Sequence, residues 1–157
     1  MIASVTRPRC VASHRTERGF TILEVIVVVT LVGILAALVV PSYAVHVARS
    51  RVLDATLRLA DHRAKMEQYF LDRRSFADTA GACGVAPAAS AAGDAFDVGC
   101  LATASTYRIT ATGRTGGGMA GFAFAVDETG ARTTLAVPTG WTRTPDCWTS
   151  RPDGGCL

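Results

Sequence analysis

Residues 18 to 29 read RGFTILEVIVVV, and their reading decides the fold. From Phe20 to Val40 the chain runs 21 residues with a single charged side chain, Glu24. At roughly 1.5 Å per helical residue, such a run matches the hydrocarbon thickness of a bilayer. Thr21 and Thr30 can bond back to helix carbonyls. Glu24 cannot be hidden so easily, because a carboxylate deep in lipid costs roughly 2.5–3.5 kcal/mol. A charge placed there calls for a partner, and no residue within the run can serve.

The preceding segment narrows the choice. Residues 1–19 carry Arg7, Arg9, Arg15 and Arg18 against Glu17, and a basic flank stays on the cytoplasmic side. An ordinary secretory signal is cut after its apolar region at an A-x-A-like site, and VVPSYAVHVA offers a poor one. The small residue in a suggestive place is Gly19, before the run. A cut after Gly19 removes the basic leader, keeps the helix, and creates an amino group at Phe20, four residues from Glu24. In an assembly, the amine of one copy could neutralise Glu24 of the next.

The stretch G-F-T-I-L-E-V followed by apolar helix resembles the class III signal of type IV pilins and their relatives. On that resemblance Gly19 is the cleavage residue, Phe20 the first and N-methylated residue of the mature chain, and Glu24 its fifth. Gly33 and Pro41 fall where many pilins carry a helix-loosening glycine and proline. The resemblance implies cleavage by prepilin peptidase, handling by an inner-membrane assembly machinery, and helix-bundle packing with other pilin subunits. It also implies a single-pass precursor anchored by 20–40 with its head in the periplasm, then a pilus at the cell surface.

Charge reads differently without the leader. The chain is +3, but residues 1–19 hold four of its 16 basic and one of its 13 acidic side chains, so 12 of each remain. Residues 49–74 hold seven Lys or Arg, whereas residues 75–157 hold five Arg against seven acids. A basic helix joined to a mildly acidic head suits lateral packing in a filament better than a DNA surface.

Three segments are expected: a cleaved leader (1–19), a long helix (20–74), and a globular head (75–157). On the helix, Leu53, Leu57, Ala60, Ala64 and Leu71 form one apolar stripe. Val52, Leu59, Met66 and Phe70 form a second, about 100° around. One stripe suffices to cover a small sheet, so a second implies another contact or a broad core-facing arc. Pro41 should loosen the helix locally. His46 and His62 lack a second ligand at metal spacing. Residues 82–96 are small and without period, a loop. Then TYRITATG, AGFAFAV and ARTTLAV alternate as strands, with Tyr107/Ile109/Ala111, Phe122/Phe124/Val126 and Thr133/Leu135/Val137 sharing faces. A last strand near Cys147-Trp148 is weakly signalled. The fold class is α+β, a helix over one face of an antiparallel meander.

Cys10 leaves with the leader, so four cysteines remain outside the cytoplasm, where they imply two disulfides with three pairings open. The sequence-nearest scheme, Cys83–Cys100 and Cys147–Cys156, is preferred because each bond would staple a segment poor in apolar side chains; a crossed pairing stays open. Zinc is disfavoured by the lack of C-x-x-C or a cysteine–histidine cluster. With no G-x-S-x-G, H-E-x-x-H or P-loop, the expectation is a structural protein, not an enzyme, with no cofactor and no metal.

Three functional readings follow. The first is a minor pilin of a type IV pilus, supporting pilus assembly, adhesion, twitching motility or DNA uptake, and PDCWTSRPDGGC resembles minor-pilin tails of Gram-negative bacteria. The second is a type II secretion pseudopilin, whose main subunit normally has a calcium loop where this chain has cysteines. The third is a DNA-receptor pilin for competence. That one needs a basic strip on a head that is net acidic, and the sequence leaves open whether Arg114, Arg132, Arg143 and Arg151 cluster in space.

Overall fold

The computed structural model describes residues 19–157, excluding the side chains of residues 38–42. Its first element is α1, Ile22–Arg73. The start is a capping signature, T-x-x-E: the Thr21 hydroxyl accepts the Glu24 backbone N–H at 3.2 Å, and Glu24 lies in the first turn where the helix dipole favours an acid. The Thr30 hydroxyl is absorbed by the carbonyls of Ile26 and Val27. At the other end Arg74 adopts a left-handed conformation (φ 57°) and donates its N–H to the Phe70 carbonyl at 2.8 Å, which stops the helix.

The chain forms two compact units, divided after Leu38. In the first, the described side chains from Ile22 to Ala37 are all exposed, and apart from Glu24, Thr30 and Gly33 every one is an apolar side chain. Among the described residues no helix is long and apolar enough to cross a membrane. The run expected to span, Phe20–Val40, extends into residues 38–40, whose side chains lie outside the description. The described part ends at Ala37 and is shorter than the roughly 20 residues a span needs. Loosening at Pro41 likewise falls outside the described side chains.

The second unit, Val39–Leu157, carries the core. Strands β1 (Phe96–Ala102), β2 (Tyr107–Gly113), β3 (Ala123–Asp127) and β4 (Arg132–Ala136) form one antiparallel meander in that order. Val52, Ala55, Leu59 and Met66 of α1 are fully buried with Ile109, Ala111, Phe124 and Phe96 of the sheet. Of the two stripes, Val52–Leu59–Met66 is therefore the core face, with Phe70 packed at its edge. Leu53, Leu57, Ala60, Ala64 and Leu71 face outward, Leu57 with 61 % of its surface exposed.

One strand of the sheet carried no expectation, and one expectation needs correction. The stretch FDVGCLA is a strand, β1, paired with β2 from Phe96↔Gly113 to Ala102↔Tyr107. Gly99 and the outward Leu101 blurred its alternation. In β4 the inward residue is Thr134, fully buried, and Leu135 is exposed. An irregularity between Ala123 and Phe124 pairs Phe124 with Thr134 and moves the facing by one residue.

The tail has no full strand; Thr149 and Cys156 form an isolated bridge. It is tied to the sheet through buried polar groups. The Thr134 hydroxyl donates to the Cys147 carbonyl at 2.5 Å and accepts the Thr149 N–H at 2.9 Å. Cys83 is bonded to Cys100 (Cα–Cα 6.1 Å) and Cys147 to Cys156 (5.9 Å), so each disulfide closes a local segment.

Candidate functional site

Two regions carry chemistry that the core does not use. The first is the helix start. Gly19 is open, since a Cβ there would meet nothing within 4 Å. Phe20 is 79 % exposed, and Glu24 has no carboxylate partner among the described residues although its backbone is capped by Thr21. A cap explains why an acid is tolerated at this position; it does not neutralise its charge. Gly33 likewise has open space around it.

The second region lies on the head. Most acids there are already engaged. Asp94 takes both arms of Arg58 at 2.9 Å, and that fork, helped by the Ala91 N–H, brings its pKa down to about 2. Asp97 lies 3.6 Å from Arg114, whose other arm reaches the Ala91 carbonyl. Burial works against ionising Asp127, but the bonds from Thr129 and Ala131 outweigh it and lower its pKa. Asp78 accepts the N–H groups of Ala80 and Ala82. Asp94 and Asp97 are thus paired with arginines, whereas other arginines keep a charge with no carboxylate at ion-pair distance among the described residues.

That charge gathers where α1 passes the β3–β4 turn. A concavity of about 210 Å³ is lined by Arg63 and Glu67 of α1, Gly130 of the turn, Arg132 of β4, and Trp148 of the tail. Trp148 is buried and donates its indole N–H to the Ala125 carbonyl at 2.9 Å. The Arg132 guanidinium lies over its ring, 4.9 Å from the centroid. Glu67 accepts the Tyr107 hydroxyl at 2.7 Å. Burial, then that bond, raises the Tyr107 pKa, while the facing Arg63 pulls it the other way.

The four head arginines singled out in the sequence have separate partners. Arg114 is held by Asp97 and Ala91, Arg143 by the Thr134 carbonyl, and Arg132 by Trp148. Arg151 lines a separate concavity of about 340 Å³ with His46 and Arg49. The partner that the structure brings to Arg132 is Arg63, which sequence reasoning missed. Its only signal was a polar position flanked by the buried Leu59 and Met66, one turn from Glu67.

Comparison with known proteins bears on the helix start and on part of the head. Residues 14–40 match a family model described as the prokaryotic N-terminal methylation motif. Residues 41–122, just over half the chain, match a model described as type IV minor pilin ComP, DNA uptake sequence receptor. The chain is 33% identical over 70 residues to the type IV major pilin protein PilE1 of Neisseria gonorrhoeae, covering 45% of this chain and 42% of that one. It is 31% identical over 72 residues to the fimbrial protein EcpC of Eikenella corrodens (46% and 47%). To the type IV major pilin protein PilA of Myxococcus xanthus it is 34% identical over 71 residues (45% and 32%). The chain spans less than half the length of these curated relatives. No solved structure matches it. A methylation motif leading into a helix, a four-stranded meander over that helix, and a match across residues 41–122 together make the chain a member of the type IV pilin family, in the minor-pilin group that the ComP model describes.

Proposed function

We propose that this chain is a minor pilin that enters a type IV pilus and presents its head for DNA uptake. In this reading prepilin peptidase cuts between Gly19 and Phe20, Phe20 is N-methylated, and the helix from Phe20 to Val40 holds the precursor in the inner membrane with its head in the periplasm. Assembly then replaces lipid by neighbouring helices, and each Glu24 takes the Phe20 amine of another subunit. The outward stripe of Leu53, Leu57 and Leu71 adds apolar surface for lateral packing.

The observation that carries the DNA half is the extent of the receptor-model match. It continues past the methylation motif through the rest of α1 and the strands β1 and β2. The unbalanced arginines beside Trp148 are consistent with it, because phosphate contacts need local rather than net positive charge. The test is natural transformation. Deleting the gene should leave pili on the cell surface and reduce DNA uptake at least tenfold. Loss of piliation with the DNA effect explained by that loss would reduce the role to a structural one; unchanged uptake in piliated cells would contradict the DNA half.

A further inference from the structure

We propose that the concavity between Arg63 and Arg132 binds a single phosphodiester of a DNA strand, with Arg132, held over the Trp148 ring, as the orienting group. This rests on the DNA-uptake reading above and gives it a site.

Four observations carry the assignment. Among the described residues, neither Arg63 nor Arg132 has a carboxylate within ion-pair distance. The Arg63 Nε is buried without a hydrogen-bond partner, so this guanidinium is already partly stripped of water and its hydrogen bonding is incomplete. The Arg132 Cζ lies over the indole ring, 4.9 Å from its centroid, a contact to the ring's π face that uses none of the guanidinium's donors on an acceptor atom and leaves them for an oxyanion. Glu67, the one acid lining the space, is occupied by the Tyr107 hydroxyl. Two cations and one anion leave one net positive charge, which suits a phosphodiester monoanion better than a phosphate dianion.

The space of about 210 Å³ would hold several waters at about 30 Å³ each, room enough for one phosphate group. Gly130 keeps it open. A Cβ there would sit 3.0 Å from Cζ and both Nη atoms of Arg63, and its φ of 81° disfavours any side chain.

The test uses the full mature chain in detergent, titrated with fluorescein-labelled duplex DNA by anisotropy over a range of salt. Each phosphate contact contributes about 0.9 to the slope of log affinity against log salt. Arg63→Gln and Arg132→Gln should each lower the slope by about that amount and weaken duplexes of different sequence alike. Arg132→Lys should keep most of the slope and still bind several-fold more weakly, since an ammonium cannot stack and fork. Wild-type DNA binding with unchanged slope in both glutamine variants would overturn the site and leave the DNA reading standing. No DNA binding by the wild type would overturn both. Displacement of DNA from the wild type by glycerophosphoglycerol at matched ionic strength, lost in both glutamine variants, would support a site for a single phosphodiester. Binding to anionic vesicles that is weakened in both glutamine variants while their DNA binding stays strong would overturn its assignment to DNA.

Discussion

Trp148 donates its indole N–H to the Ala125 carbonyl at 2.9 Å, and so fixes a tail that has no strand of its own to the middle of the sheet. Ala125 is on β3, and Trp148 follows Cys147 directly, so one side chain joins the tail disulfide to the core. Trp148→Ala should cost about 3–5 kcal/mol by opening a cavity. Trp148→Phe should cost less, losing the indole N–H bond to the Ala125 carbonyl, worth about 0.5–1.5 kcal/mol. Urea unfolding of both variants checks the order; equal stability to wild type would mean the tail is held by its disulfide alone.

The two disulfides should differ in what they hold. Cys147–Cys156 closes a separation of nine residues and Cys83–Cys100 one of 17, each contributing on the order of 3 kcal/mol in the chain-entropy model. Non-reducing peptide mapping should find only these two links, and a peptide joining Cys100 to Cys147 would refute the local scheme. Replacing Cys147 and Cys156 together by serine should expose the tail to protease and leave the Cys83–Cys100 link intact.

His62 gives the head a pH dependence of definite sign. It is 95 % buried with Nε2 unpartnered, and burial, followed by the nearby Lys65, lowers its pKa. The folded state therefore favours neutral imidazole. Its contribution is fully present above the unfolded value near 6.5 and is lost as pH falls below it. Asp94 and Asp127, held below the usual carboxylate range, stay ionised through that window. Thermal unfolding should show a midpoint that drops from pH 7 to pH 5, and His62→Gln should flatten the drop. A midpoint independent of pH in the wild type would contradict the burial argument.

Backbone geometry allows one gain and one loss. Arg74 sits at φ 57°, where glycine carries no Cβ strain, so Arg74→Gly should stabilise by up to about 1 kcal/mol. Gly84 lies against Tyr69 so closely that a Cβ would run into the ring. Gly84→Ala should cost about 1–3 kcal/mol and loosen the loop after α1. Thermal midpoints moving in opposite directions are the expected result.

Much of this was legible in the chain because the signals are periodic and local. Glu24 alone in an apolar run, the alternation of Tyr107, Ile109 and Ala111, and the stripe through Val52, Leu59 and Met66 all report one face of one element. What escaped depends on contacts between elements. β1 was hidden because Gly99 and an exposed Leu101 spoil its pattern. The facing of β4 turned on an irregularity in its neighbour β3, which the residues of β4 do not encode. Arg63 gained its place only because Gly130 and Arg132 come to it across the fold.

The central claim, that Glu24 is there to be neutralised by another subunit, is tested most directly in sheared pili. Wild-type protein in the sheared fraction should begin at N-methyl-Phe20 by mass spectrometry, with residues 1–19 absent. Glu24→Ala should be cut and retained in the membrane at normal level, and its amount in the sheared fraction should fall at least tenfold. Normal incorporation of Glu24→Ala, or an intact Arg18–Gly19–Phe20 peptide in assembled pili, would contradict the account.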